Sequence, residues 1–313
     1  MTTRSTLRRS IFLASLMTAL CLGAAGQEDL LKPADPGQPK GTTKAHLELR
    51  FSKGDTDRYK FNQTAFVVVK GVQGSGVPSA EPFEIQAKGV MFEKLIGVTD
   101  DGDYEVKAGF ERANILQGDR ALSFGAEDLP HATVILGKLG NTVATKEAYP
   151  GIPIIANQPW SSQARPPSSW IVLPSGDATK GLKWTQDVPV ATVGVEGEAL
   201  KAKVSYELEG FEEMMGSDCA RIMMSSTGPI QAKGVTVYGM PVDVTLDFSV
   251  TATAWVRVSD GRLVRMDESA RQSLVGTPAA QDEGETPSQA GQAGQIEVGI
   301  DSSVTVELIP PNS

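Results

Sequence analysis

The 313 residues carry 38 acids against 29 bases, a formal charge of −9, with 40% hydrophobic and 21% charged side chains. A chain this long and this apolar can bury one large or two ordinary cores, which excludes a fibrous or wholly unfolded protein. Its acidity excludes nucleic acid and anionic lipid headgroups as partners for the surface as a whole.

Residues 1–26 have the form of an export signal: Arg4, Arg8 and Arg9, an apolar run from Ile11 to Leu22, then Gly23, Ala24, Ala25 and Gly26. The apolar core is too short for a membrane span, so cleavage near Gly26 is expected rather than an anchor. Cys21 follows Leu20, a bulky residue where lipoprotein cleavage calls for a small one, which argues against lipidation. Cleavage removes three arginines and no acid, taking the charge from −9 to −12 and leaving Cys219 as the only thiol. No intrachain disulfide then forms, although the expected destination is exported: periplasm, cell envelope or extracellular space. No later segment reads as a transmembrane helix.

Residues 27–44 are rich in Pro, Gly and charge and read as a flexible tether. From Ala45 the chain alternates. Leu47, Leu49 and Phe51 are interleaved with polar residues, and a Lys53-Gly54-Asp55 turn leads to Tyr59, Phe61 and the run to Val69, which predicts a first hairpin. Alternation restarts at Phe83, Ile85 and Ala87 and continues toward Val98; Asp100-Asp101-Gly102-Asp103 then turns the chain into Tyr104, Val106, Ala108 and Phe110. These elements make a first β unit over 45–158, whose later part carries weaker strand signals at Val134 to Leu136 and Ile152 to Ile155. Residues 159–189 form a Pro-rich connection carrying Trp160, Trp170 and Trp184.

A second unit is expected over 190–309, organised around Leu200 to Asp267. Ala202, Val204, Tyr206 and Leu208 alternate with charged residues, a Gly216-Ser217-Asp218 turn follows, and Ala220, Ile222 and Met224 resume the pattern. From Val242 to Val258 every second residue is apolar, which predicts a strand that extends for about 50 Å and therefore bends. Residues 276–295 are low in complexity and read as a disordered insertion; Ile296, Val298, Ile300, Val304, Val306 and Leu308 then supply a last strand pairing with the one before it. Lys53-Gly54 before Tyr59 and Lys180-Gly181 before Trp184 echo one another, which fits either two duplicated units or simple reuse of Gly-Asp turns. The predicted class is all-β: two meanders of curved antiparallel sheet, half-barrel or sandwich-like.

Taken together, the signal, the tether and the strings KGDTDRYKF, DDGDYEV, LPSGDATKGLKW and VSDGRLVRMDES resemble a group of exported bacterial proteins with an uncharacterised β-rich domain. The resemblance covers most of Ala45 to Val275 and implies no known activity, cofactor or catalytic residue. The curved sheets are also similar in outline to the half-barrels of envelope lipoprotein carriers, which shelter acyl chains.

Chemistry is sparse. His46 and His131 are the only histidines, each flanked by surface-type residues and read as solvated or structural. There is no G-x-S-x-G, H-E-x-x-H, Walker or dinucleotide motif. Asp100, Asp101 and Asp103 read as a hairpin turn rather than a calcium loop, which would need a distant Glu. Met214, Met215, Cys219 and Met223 gather sulfur around one turn and are the candidate ligands for a soft metal such as Cu(I), set against methionine as adaptable core filler. Strand alternation puts Cys219 and Met223 on one face and Met224 on the other. The three tryptophans are candidates for a stacking platform or for plugging an open end. No catalytic residue and no cofactor is nominated. The expected protein is an exported, non-catalytic β protein that binds an apolar or lipid ligand or docks another envelope protein. The alternatives are an outer-membrane β-barrel and an enzyme with an unrecognised carboxylate site.

Overall fold

The structure, a computed structural model, describes residues 42–71, 80–149, 151, 165–190, 195–196, 200–237, 240–278 and 296–310. The expected signal peptide, most of the tether, nearly all of the 276–295 insertion and Trp160 lie outside the described residues.

Strands β1 (Lys44–His46), β2 (Thr56–Gly71), β3 (Ala80–Val98), β4 (Tyr104–Gln117), β5 (Arg120–Gly125), β6 (His131–Leu136) and β7 (Thr142–Tyr149) make the first part of the chain. A 3-10 turn at Pro167–Ser169 and the short β8 (Asp177–Thr179) follow. Then come β9 (Lys183–Val190), β10 (Val195–Glu196), β11 (Leu200–Met214), β12 (Ser217–Thr227), β13 (Ile230–Val237), β14 (Met240–Arg257), β15 (Leu263–Pro278) and β16 (Ile296–Leu308). The pairing is antiparallel throughout, and the principal sheet runs in the order β7-β6-β4-β3-β2-β16-β15-β14-β12-β11-β9. The two meanders are thus one sheet, joined where β2 meets β16, and β16 also pairs with β15 as its alternation predicted.

Alternation in the sequence accounts for the two faces. On β14, Leu246, Phe248, Val250, Ala252, Ala254 and Val256 are buried, whereas Asp247, Ser249 and Thr251 between them are exposed. Laid flat, the eleven strands of the sheet order would span about 50 Å. Yet residues of β2, β3, β4, β6, β11, β12, β14, β15 and β16 belong to one buried cluster, so the sheet curls around it. Register shifts at Leu208/Gly210, Val90/Met91, Leu95/Gly97 and Trp255/Val256 supply local bends. The buried face is therefore the concave one. It is filled at one end by Leu47, Leu49, Leu129, Trp170, Ile171 and Leu173 from the connecting segments.

The convex face carries a polar band. At one level of the register Thr185, Ser205, Ser225, Thr251, Ser269, Ser303 and Thr64 stand side by side on seven neighbouring strands.

One expectation is overturned. Leu47, Leu49 and Phe51 do not form a hairpin with β2; only residues 44–46 are a strand, and they pair with β8. The reason is where the backbone bonds go: Leu49 N donates to Lys138 O at 2.7 Å and Arg50 N to Asp260 O at 2.9 Å, two separate loops. The segment crosses the end of the sheet instead of joining it. The Lys53–Gly54 turn itself is present, closed by Ser52 N donating to Asp55 Oδ2 at 2.7 Å.

Candidate binding face

Along β2, Tyr59, Phe61, Ala65 and Val67 face the core, and the slot between Phe61 and Ala65 holds Gln63, only 3% exposed. The same substitution of polar for apolar recurs on the two neighbouring strands. Ser302 lies between Ile300 and Val304 on β16, and Glu268 and Gln272 flank Ala270 on β15, at 5%, 4% and 5% exposure. The register places these four together. Gln63 and Glu268 both pair with Val304, Ser302 pairs with Ala65 and Ala270, and Gln272 pairs with Ile300. Ser302 is therefore the diagonal neighbour of the other three, about 7–8 Å away on the same face. The floor beneath them is short, built from Ala65, Ala270, Ala252 and Ala87.

Their hydrogen-bonding capacity is unevenly met. Both polar atoms of Gln63 and the Ser302 hydroxyl are buried without a partner, a costly state for a polar group out of water. Glu268 and Gln272 are engaged. Arg165 lies within electrostatic reach of Glu268 and of Tyr206; burial pulls its guanidinium pKa down, and its Nε has no hydrogen-bond partner. Burial pushes the Tyr206 phenol up to about 12.

A second buried carboxylate is fully committed. Glu93, 1% exposed, accepts from Tyr59 OH at 2.8 Å, Ser168 N at 3.0 Å and Ser168 Oγ at 2.6 Å. This fastens the 3-10 turn within the Pro-rich connection to β2 and β3. Burial raises the Glu93 pKa, and the Ser168 donors oppose that rise without cancelling it. The same burial, with Glu93 beside it, raises Tyr59 well above the usual phenol range.

At one end of the sheet Arg262 gathers three carboxylates: Asp55 at 3.2 Å, Asp57 at 3.0 Å and Asp260 at 3.0 Å. Its guanidinium lies 5.5 Å from the Phe51 ring centroid. Burial raises the Asp57 pKa, with Arg262 and Arg257 pulling against it.

The residues singled out in the sequence are dispersed over the molecule. Cys219 is buried on the convex face in a small cluster with Trp255 and Val264, against which Met214 packs; Trp255 Nε1 donates to Glu212. Met223 is exposed four residues further along the same face, and Met215 is exposed in the turn at a φ of 51°. Burial pushes the Cys219 thiol up to about 12, which keeps it protonated at neutral pH. Met214 and Cys219 are thus brought together, and Met215 and Met223 are not. His46 lies 3.7 Å from Asp177, and His131 packs against Tyr149 at 5.1 Å between ring centroids. Asp103 N donates to Thr99 Oγ1 at 3.1 Å, closing the hairpin turn expected there. Trp184 stacks on Tyr206 at 5.2 Å and donates from Nε1 to Val172 O at 2.8 Å, and Trp170 is buried in the core, so both fill the interior rather than offering a free platform.

Gln63, Ser302, Glu268, Gln272 and Glu93 were not singled out in the sequence. The signal was present: each breaks an apolar alternation at an inward position.

No known protein family matches the sequence, and no curated protein does. Among solved structures, one described as lipid-protein interactions in lipovitellin is similar over 83% of this chain and 25% of its own, with 9% identity and a TM-score of 0.36. The chain spans about a quarter of that structure's length.

Proposed function

We propose that this is an exported, non-catalytic protein that holds an apolar or lipid ligand against the concave face of its sheet. The observation supporting this reading is that the sheet is two-faced along its width yet open. Its concave side carries buried apolar residues on every strand from β11 to β4, and β7 and β9 at its ends pair with no further strand among the described residues. An open sheet can part at its edges to admit an acyl chain without breaking its ladder. Burying about a dozen methylenes at about 0.8 kcal/mol each supplies about 10 kcal/mol gross, enough for micromolar retention after part of it offsets ordering costs. Native mass spectrometry with organic extraction of the purified protein tests this. Co-purifying acyl compounds, or saturable uptake of a fluorescent fatty acid, are expected; no uptake of any apolar probe would reject the reading.

Two alternatives fare worse. A lipid-embedded barrel needs an apolar outward band, whereas here the sheet is not closed and the outward level running from Thr185 to Thr64 is hydroxyl-bearing. An enzyme built on buried carboxylates would draw on Glu93, committed to Tyr59 and Ser168, or on Glu268, near Arg165. A role as an envelope interaction module has one observation in its favour: β7 is an edge strand exposed over almost its whole length, able to accept an added strand. Unchanged hydrogen exchange at 142–149 with and without an envelope fraction would remove that role.

A further inference from the structure

The seam where β2, β16 and β15 meet carries more polar character than a lipid-filled interior needs. Gln63, Ser302, Glu268 and Gln272 occupy adjacent inward positions, each 5% exposed or less, on an alanine floor. Three of their polar atoms, Gln63 Nε2, Gln63 Oε1 and Ser302 Oγ, have no partner. Native interiors rarely leave a side-chain amide wholly unpaired, and the cost is avoided by an apolar residue of the same size. Leucine in place of Gln63 would continue the row of Tyr59, Phe61, Ala65 and Val67 without penalty.

We propose that this seam is the seat of a ligand's polar head: an uncharged, hydrogen-bonding head on a single acyl chain, of the monoacylglycerol class. The class follows from the groups present. A side-chain amide and a hydroxyl offer donors and acceptors together, matching a hydroxyl or ester that both gives and receives. The neighbouring charges are Arg165 and Glu268, of opposite sign and in mutual reach, so no net charge is offered to a carboxylate or phosphate. The flanking Val67, Ile85 and Ile300 are apolar, suited to the start of the tail.

This inference rests on the reading that the concave face takes an apolar ligand, and its test separates the two. Binding of monoolein, oleic acid and 1-octadecene is measured on the purified protein, on Gln63→Leu and on Ser302→Ala. The wild type is expected to prefer monoolein over octadecene by tenfold or more. Gln63→Leu is expected to lose about tenfold of that preference, the value of one buried hydrogen bond or slightly more, with octadecene affinity unchanged or higher. Ser302→Ala should lose a smaller part in the same direction. A wild type that binds none of the three overturns the functional reading and this inference with it. A wild type that binds but whose preference survives both substitutions overturns the head seat alone. The melting temperature of the ligand-free protein gives an independent readout: Gln63→Leu should leave it unchanged or raise it, because unpaired atoms are removed. A clear fall would mean that Gln63 is satisfied inside the protein, and the assignment would be wrong.

Discussion

Glu93 is a carboxyl that the fold surrounds with three donors and almost no solvent. Replacing it with leucine strands Ser168 N–H and the Tyr59 hydroxyl, and is expected to cost about 3 kcal/mol in urea unfolding. Its pH dependence has a definite sign. Burial holds its pKa above the ordinary value, so the folded state binds this proton more readily than the unfolded chain does. The contribution is therefore fully present below the unfolded value of about 4.3 and is lost as pH rises through the raised one. Compared with Glu93→Gln, the wild type should lose stability as pH rises above the ordinary glutamate range. A difference growing in the other direction would show that the Ser168 and Tyr59 donors outweigh burial. Cys219 carries a simpler expectation. Buried and with its thiol pushed up to about 12, it should resist a thiol reagent at pH 7 until the protein is unfolded, and rapid labelling of the native state would contradict its placement.

The turns do more than reverse direction. KGDTD and VSDGR, far apart in sequence, meet because Arg262 of the second binds Asp55 and Asp57 of the first while stacking on Phe51. Arg262→Met leaves Asp57 partly buried without its principal counter-charge, which should cost about 3 kcal/mol, read as a lower urea midpoint. Gly261 is the other constraint at this joint. Its φ is +68°, and a Cβ there would lie 2.4 Å from the Glu48 carbonyl oxygen. Gly261→Ala should therefore destabilise by about 2 kcal/mol or more and loosen residues 47–50, visible as faster amide exchange at Leu49 and Arg50.

The strands themselves were legible in the sequence, since the alternation from Val242 to Val258 is β14 within two residues. Residues 47–50 were misread because alternation reports which side chains are buried, not which groups bond to the backbone. The candidate site was legible only in pieces. Gln63, Ser302 and Glu268 each interrupt an apolar row, but their convergence depends on a register between strands that no local pattern contains.

At the scale of the molecule, the joint between β2 and β16 decides whether there is one sheet or two. Ile296 pairs with Gly71 and Leu308 with Tyr59, so the ladder runs the length of both strands, with Val304 and Val306 buried along it. Removing residues 296–313 should leave β2 and β15 as long unpaired edges and yield aggregated protein in gel filtration. A soluble monomer with unchanged β signal in circular dichroism would show that the halves are self-sufficient. The same joint governs the timetable of folding, because pairings so distant along the chain close slowly. A ribosome delivers Gly71 long before Ile296. Until the later strand emerges, the earlier one has β3 as its single neighbour. Completion of the last ladder is thus the step that turns two half-built meanders into one continuous layer.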